Sequence, residues 1–239
     1  MNQELQNQCI NLSKEKDTDI AQMMDNLISE NTWKFPYKIS KLIHERETIL
    51  YYNGDLEINE DLSLFKAKID GLIIEGNLTI NGTLQTYSYP ETFLLVTGEL
   101  TVDFLKNSGM LEVGRNLTSN RAIIGDYNHG FVSVHGAAKT HFFYPEQHFF
   151  SIHGAINFDY ALGDSYGLND NQNPEIFKIN QMELDDVLTL FHEEVIQLID
   201  PDFFELKNEE EVQDVEELLD FLEINDIIKR VEQNQPIFK

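Results

Sequence analysis

Cysteine, tryptophan, basic side chains and long apolar runs are all scarce in this 239-residue chain, and each scarcity excludes something. The single cysteine, Cys9, cannot close an internal disulfide, which fits a reducing compartment. No stretch of 18 apolar residues occurs, so no helix is expected to cross a membrane. Met1-Asn2-Gln3-Glu4 has neither the basic start nor the apolar run of a secretory signal. The expectation is a cytoplasmic protein that makes no membrane contact.

Lys and Arg total 17 against 42 Asp and Glu, a net charge of −25. Residues 180–239 alone hold 18 acids and 4 bases, so −14 of that charge sits there. Such a chain repels a phosphate backbone, and direct nucleic-acid binding is not expected. It attracts a basic protein instead, because opposite potentials speed encounter. The plainer alternative is that the acidity serves solubility.

Signatures of chemistry are equally sparse. Gly-x-Ser-x-Gly, Gly-x-Gly-x-x-Gly and the phosphate-loop pattern are all absent, so no enzyme and no cofactor is expected. A carboxylate pair acting on an acidic sugar would be the alternative, but residues 51–160 hold only 6 Lys or Arg for such a substrate. Five of the seven histidines lie between His129 and His153. They read either as a surface cluster on the outside of the repeats or as a metal site. No His-x-x-x-His pair or second cysteine supports the metal, and none is assigned.

What the sequence does have is a phrase spoken six times: an apolar residue, any residue, glycine, any residue, then usually leucine. The copies are Tyr52-Asn53-Gly54-Asp55-Leu56, Ile74-Glu75-Gly76-Asn77-Leu78, Val96-Thr97-Gly98-Glu99-Leu100, Val113-Gly114-Arg115-Asn116-Leu117, Val134-His135-Gly136-Ala137-Ala138 and Ile152-His153-Gly154-Ala155-Ile156. Their centres fall at 54, 76, 98, 115, 136 and 154, steps of 17 to 22 residues. That period is too short for a helical repeat and suits one coil of a parallel β-helix. Leu56 and Ile58, Leu78 and Ile80, Leu100 and Val102 alternate with Glu57, Thr79 and Thr101, as half-buried strands should. Stacked coils would place Leu56, Leu78, Leu100, Leu117, Ala138 and Ile156 in one inward ladder. Asn53, Glu75, Thr97, Gly114, His135 and His153 would form an outward one. Arg115 breaks the glycine pattern and predicts a bulge or shifted corner in the fourth coil. An ordinary β-sandwich with glycine-rich turns is the competing fold.

The expected organisation is therefore mainly β: a β-solenoid of about six coils at 51–162, with helical flanks. Residues 1–50 form an N-terminal helical cap, with a helix over 19–30 carrying Ile20, Met23, Met24, Leu27 and Ile28, then a break at Trp33-Lys34-Phe35-Pro36. Residues 163–179 read as a linker. Residues 180–239 read as an acidic α-helical element, with Asn180 and Asn208 as helix caps three residues before Glu183 and Glu211.

The Gly76-Asn77-Leu78-Thr79-Ile80-Asn81-Gly82 wording resembles the coils of bactofilin-type cytoskeletal proteins over about 105 residues. That resemblance implies a bare solenoid that stacks end to end. This chain departs from it in its helical flanks and in the aromatic later coils, Phe142-Phe143-Tyr144 and Phe149-Phe150. The overall layout is similar to immunity proteins of bacterial polymorphic-toxin systems, including contact-dependent inhibition and type VI secretion. What this implies is a non-catalytic binder of a cognate basic toxin, nuclease-like in charge. The candidate contacts are Glu209, Glu210, Glu211, Asp214, Glu216 and Glu217 on the acidic helix. Asp126, Tyr127 and His129 in a loop join them, with Tyr127, Tyr144 and Trp33 as aromatic anchors.

Overall fold

The computed structural model describes residues 2–89, 91–125, 130–145, 148–161 and, further on, 189, 191, 192, 226, 229, 230, 233, 235–237 and 239. The expected linker and nearly all of the acidic helical element lie outside the described residues.

The chain begins with α1 (Asn2–Gln8), β1 (Ile10–Asn11), α2 (Leu12–Glu15), α3 (Thr18–Glu30) and α4 (Ile39–Glu45). Asp17 starts α3 by accepting from the Ile20 N–H at 3.0 Å, and Asn11 does the same for α2 from Lys14 N–H. Then come β2 (Ile49–Asn53), β3 (Leu56–Ile58), β4 (Leu62–Ser63), β5 (Gly71–Glu75), β6 (Leu78–Gln85), β7 (Phe93–Val96), β8 (Leu100–Asn107), β9 (Met110–Val113), β10 (Leu117–Gly125), β11 (Phe131–Val134), β12 (Ala138–Tyr144), β13 (Phe149–Ile152) and β14 (Ile156–Ala161).

Each copy of the glycine phrase sits at the corner between two of these strands. One sheet runs β1-β2-β5-β7-β9-β11-β13 and the other β14-β12-β10-β8-β6-β3, with β4 also on β6. Every pairing between named strands is parallel except β1 on β2. Six strand pairs stacked in this way make a β-solenoid of about 5 turns, and the sandwich alternative is excluded. The inward ladder is as the alternation predicts: Leu56, Leu78, Leu100, Leu117, Ala138 and Ile156 are in register and buried. They join the β2-side sheet's Leu72, Leu94, Leu111 and Val132 in one core between the sheets.

The corner glycines are required for two different reasons. At Gly54 φ is 124°, a backbone region that side-chain-bearing residues avoid. At Gly114 the reason is space: an added Cβ would stand 2.3 Å from the Thr97 carbonyl oxygen and 3.1 Å from Trp33 Cζ2. No bulge forms at Arg115 itself, but the fourth coil does slip register further on: β10 shifts against β8 between Ser119 and Ala122 and against β12 between Thr118 and Ala122. Leu117 stays in register with Leu100 and Ala138, and Arg115 exchanges backbone hydrogen bonds with Gly98 and Gly136. Only the glycine has moved, one position earlier, to make room for the indole.

The N-terminal segment corrects the expected cap in a second way. Its first turns do close the open end: Leu5 of α1 joins the interior core, and β1 pairs antiparallel with β2, Ile10 opposite Tyr51. The rest lies along the outer face of the β2-containing sheet. Leu12, Ala21, Met24, Ile28, Trp33, Phe35, Ile39, Leu42 and Ile43 pack there on Ile49, Tyr51, Ile73, Phe93, Leu95 and Met110. This sheet is therefore buried on both faces, and strands such as Phe93-Leu94-Leu95-Val96 are apolar throughout. Of the expected helical face only Met23 is exposed; Met24 and Ile28 are buried with Ala21, and Ile20 and Leu27 pack half-buried against the same cluster. Cys9 is half-buried against the core, and burial pushes its thiol up to about 11.

Candidate functional site

The other sheet keeps its outer face open to water, and stacking builds an acidic surface there that no short window of sequence displays. Residues 55–61, 78–85 and 99–105 contribute Asp55, Glu57, Glu60, Asp61, Glu99 and Asp103 and not one Lys or Arg. All six are exposed except the half-buried Asp103. Their backbones are fixed by β3, β6 and β8, and several of their side chains by the neighbouring coil. Asp55 Oδ1 accepts from Asn77 N–H at 2.8 Å, Asn77 Oδ1 from Glu99 N–H at 2.8 Å, and Asn116 Oδ1 from Ala137 N–H at 2.9 Å. Asn116 Nδ2 donates to Glu99 Oε1 at 2.9 Å. A second line runs beside the first: Asn81 Nδ2 donates to Glu57 Oε1 at 2.9 Å and Asn59 Oδ1 at 2.6 Å, and Asn120 Nδ2 to Asp103 Oδ1 at 2.8 Å. Asp61 Oδ1 accepts from Thr83 N–H at 2.7 Å. These bonds hold carboxylates at fixed spacing, an arrangement suited to a cationic surface. Bases enter this face only from Lys106 onward, with Arg115, Arg121 and Lys139.

Among the described residues, His135, His141, His148 and His153 fall into three environments rather than one surface cluster. His135 and His153 are ladder neighbours as expected, their rings 4.8 Å apart, but His135 lies largely covered beside Trp33. Its Nε2 donates to Oε1 of Glu112 at 2.7 Å, and that oxygen also accepts from Lys34 N–H at 3.2 Å. Glu112 is fully buried, at the outward position that Ile73 and Leu95 fill in earlier coils. Its Oε2 and the neighbouring Ser133 Oγ are buried without a hydrogen-bond partner. Burial first, then the charges of His135 and Lys34, lowers the His153 pKa, against the opposing pull of Glu112. Lys34 Nζ lies 4.4 Å from the centre of the Phe149 ring. The cluster thus clamps the segment around Trp33 onto the later coils. His141 is on the opposite sheet, paired with Asp159 at 2.8 Å. His148 is buried inside, its Nε2 2.7 Å from Asn107 Nδ2. Among the described residues no group of three His, Cys, Asp or Glu is arranged to hold a metal ion.

Of the residues expected to contact a partner, Tyr144 is a half-buried residue at the end of β12, beside Ile124. Trp33 is 9% exposed and packed against the solenoid, which removes it as an anchor. Asp126, Tyr127, His129, Glu209, Glu210, Glu211, Asp214, Glu216 and Glu217 lie outside the described residues. The acidic face of β3, β6 and β8 was missed by sequence reasoning. Its signal was the recurrence of acids at the same phrase positions, Asp55 and Glu99, with no base between the strands' ends.

The fold defines the class, a parallel β-solenoid with an α-helical buttress on one sheet. No family model, curated protein or solved structure matches the chain. Among the described residues no helix is long and apolar enough to cross a membrane.

Proposed function

We propose that this protein is a non-catalytic immunity protein of the cytoplasm that binds a cognate basic toxin domain, nuclease-like in charge, and occludes it. The observation that carries this reading is the face bearing Asp55, Glu57, Glu60, Asp61, Glu99 and Asp103, six carboxylates without an interspersed base on a rigid sheet. Carboxylates held by backbone N–H groups and asparagine amides are already ordered before encounter, so binding costs little additional entropy. Their field steers a cationic partner, and such steering weakens with salt.

The test begins with purification of the tagged protein from its host at low and moderate salt. The expected result is a single small basic protein in stoichiometric amount, whose isolated toxic activity is abolished by one equivalent of this chain. Elution alone, or a co-eluting protein whose activity is unaffected, overturns the proposal.

End-to-end assembly is the second reading, favoured by the continuous parallel stacking of coil on coil through β13 and β14. Filaments that lengthen with protein concentration, seen by electron microscopy, would put assembly first.

A further inference from the structure

The two sheets are finished differently at the N-terminal end of the solenoid. The first strand of one, β2, is covered by β1. The first strand of the other, β3, has β6 on one side and no strand on the other among the described residues. Its register pairs Leu56 with Leu78, Glu57 with Thr79 and Ile58 with Ile80, and Leu56 N–H donates to the Asn77 carbonyl at 2.9 Å. Backbone groups alternate sides along a strand, so those of Leu56 and Ile58 face β6. The N–H and C=O of Glu57 then face outward.

Beside that edge lies a cavity of about 260 Å³ lined by Leu5 and Gln8 of α1 and by residues 56–60. Natural proteins usually protect an open edge with charged side chains, Lys above all, with Pro or with a covering element. Residues 55–61 contain neither Lys nor Pro, and four of the seven are acids: Asp55, Glu57, Glu60 and Asp61. Two copies meeting through β3 would set these acids against each other, which disfavours a symmetric pair. A basic strand meets them with opposite charge.

We propose that the β3 edge receives an extended, Lys/Arg-rich segment of the partner as an added strand. This rests on the immunity reading and names how the partner docks. The added strand exchanges hydrogen bonds with Glu57 N–H and C=O, and its outward Lys or Arg side chains lie beside Glu57 and the acidic face. Its alternate, apolar side chains turn the other way, where one enters the cavity at Leu5 and Leu56.

The probe is a fluorescent eight-residue peptide alternating Lys and Val, titrated into the full-length protein and followed by anisotropy. A second peptide carries the same charges with its backbone N-methylated at every residue, so that neither edge can pair as a strand. Strand addition requires the methylated peptide to bind at least tenfold more weakly. Glu57→Pro, which removes the outward N–H and the carboxylate together, is expected to weaken the unmethylated peptide to a similar degree with an unchanged circular dichroism spectrum, and Glu57→Gln, which removes the charge alone, to weaken it less. Equal binding of both peptides to the wild-type protein overturns strand addition, as does no binding of either. So does sedimentation that shows a dimer which Glu57→Pro abolishes. Those results leave the immunity proposal standing, because it is judged by inhibition of the toxin. Peptide pairing together with a toxin unaffected by the protein would sink the immunity proposal alone.

Discussion

Trp33 and Gly114 occupy one space: the indole lies where the Cβ of any other residue at 114 would approach to 3.1 Å, while the Thr97 carbonyl closes the other side at 2.3 Å. Gly114→Ala should therefore destabilise the protein by about 1–3 kcal/mol, through displacement of either the buttress or the corner. Urea denaturation measures it. A change below about 0.5 kcal/mol would show that the indole is not seated as described.

The inward ladder makes a sharper contrast between adjacent residues. Leu100 is wholly buried between Leu78 and Leu117, whereas Thr101 lies on the outer face. Leu100→Ala is expected to cost about 2–5 kcal/mol and Thr101→Ala about 0.5 kcal/mol or less. Similar costs for both would contradict the assignment of faces.

His153 gives the stability a pH dependence of known sign. Its pKa is lowered in the folded state, so in acid the unfolded chain takes up the proton more readily and folding is opposed. Stability should fall as pH drops through the ordinary histidine range near about 6.5 and level off below the folded value. The ring is exposed to solvent, which keeps the effect small. His153→Asn should flatten that part of the profile, and a variant curve parallel to the wild type would remove His153 as the cause.

Cys9 should react slowly for a free thiol. With its pKa pushed from 9.0 to about 11, the reactive thiolate is about a hundredfold scarcer at pH 8 than for an unperturbed group. Iodoacetamide labelling is expected to be slow in the native protein and fast in urea. Equal rates would place Cys9 outside the packed end.

Two acidic elements compete for the role of steering a basic partner. Reversal of Glu57, Asp61, Glu99 and Asp103 to Lys is expected to slow association at least tenfold and to flatten its salt dependence. Reversal of Glu209, Glu210 and Glu211 tests the tail in the same assay. Stopped-flow rates for the two variants rank the elements, and a solenoid variant that associates as fast as wild type would end the case for that face.

The parts of this fold that were legible in sequence are those repeated at every coil. Leu56, Leu78, Leu100 and Leu117 announce one another because each fills the same slot, and the alternating Glu57, Thr79 and Thr101 mark the wet face. The buttressed sheet was less legible. Leu72-Ile73-Ile74 and Phe93-Leu94-Leu95-Val96 have no alternation, and a doubly buried strand looks like any other apolar run until something is known to cover it. Glu112 was illegible for a related reason, since a single carboxylate carries no mark of burial or of the backbone N–H from Lys34 that it accepts. The acidic face was hidden by distance along the chain: Asp55, Asn77 and Glu99 become neighbours only when coils stack.

The strand-free stretch around Trp33 and Lys34 reaches across coils whose residues are synthesised long after it. Lys34 meets Glu112 and Phe149, and Trp33 meets His135, so the start of the chain is tied to the fourth, fifth and sixth coils. A stack of coils linked only to nearest neighbours can unravel from one end, coil by coil. A lengthwise tie between early and late coils couples their fates. The last coils are then expected to exchange their amide hydrogens in step with the first.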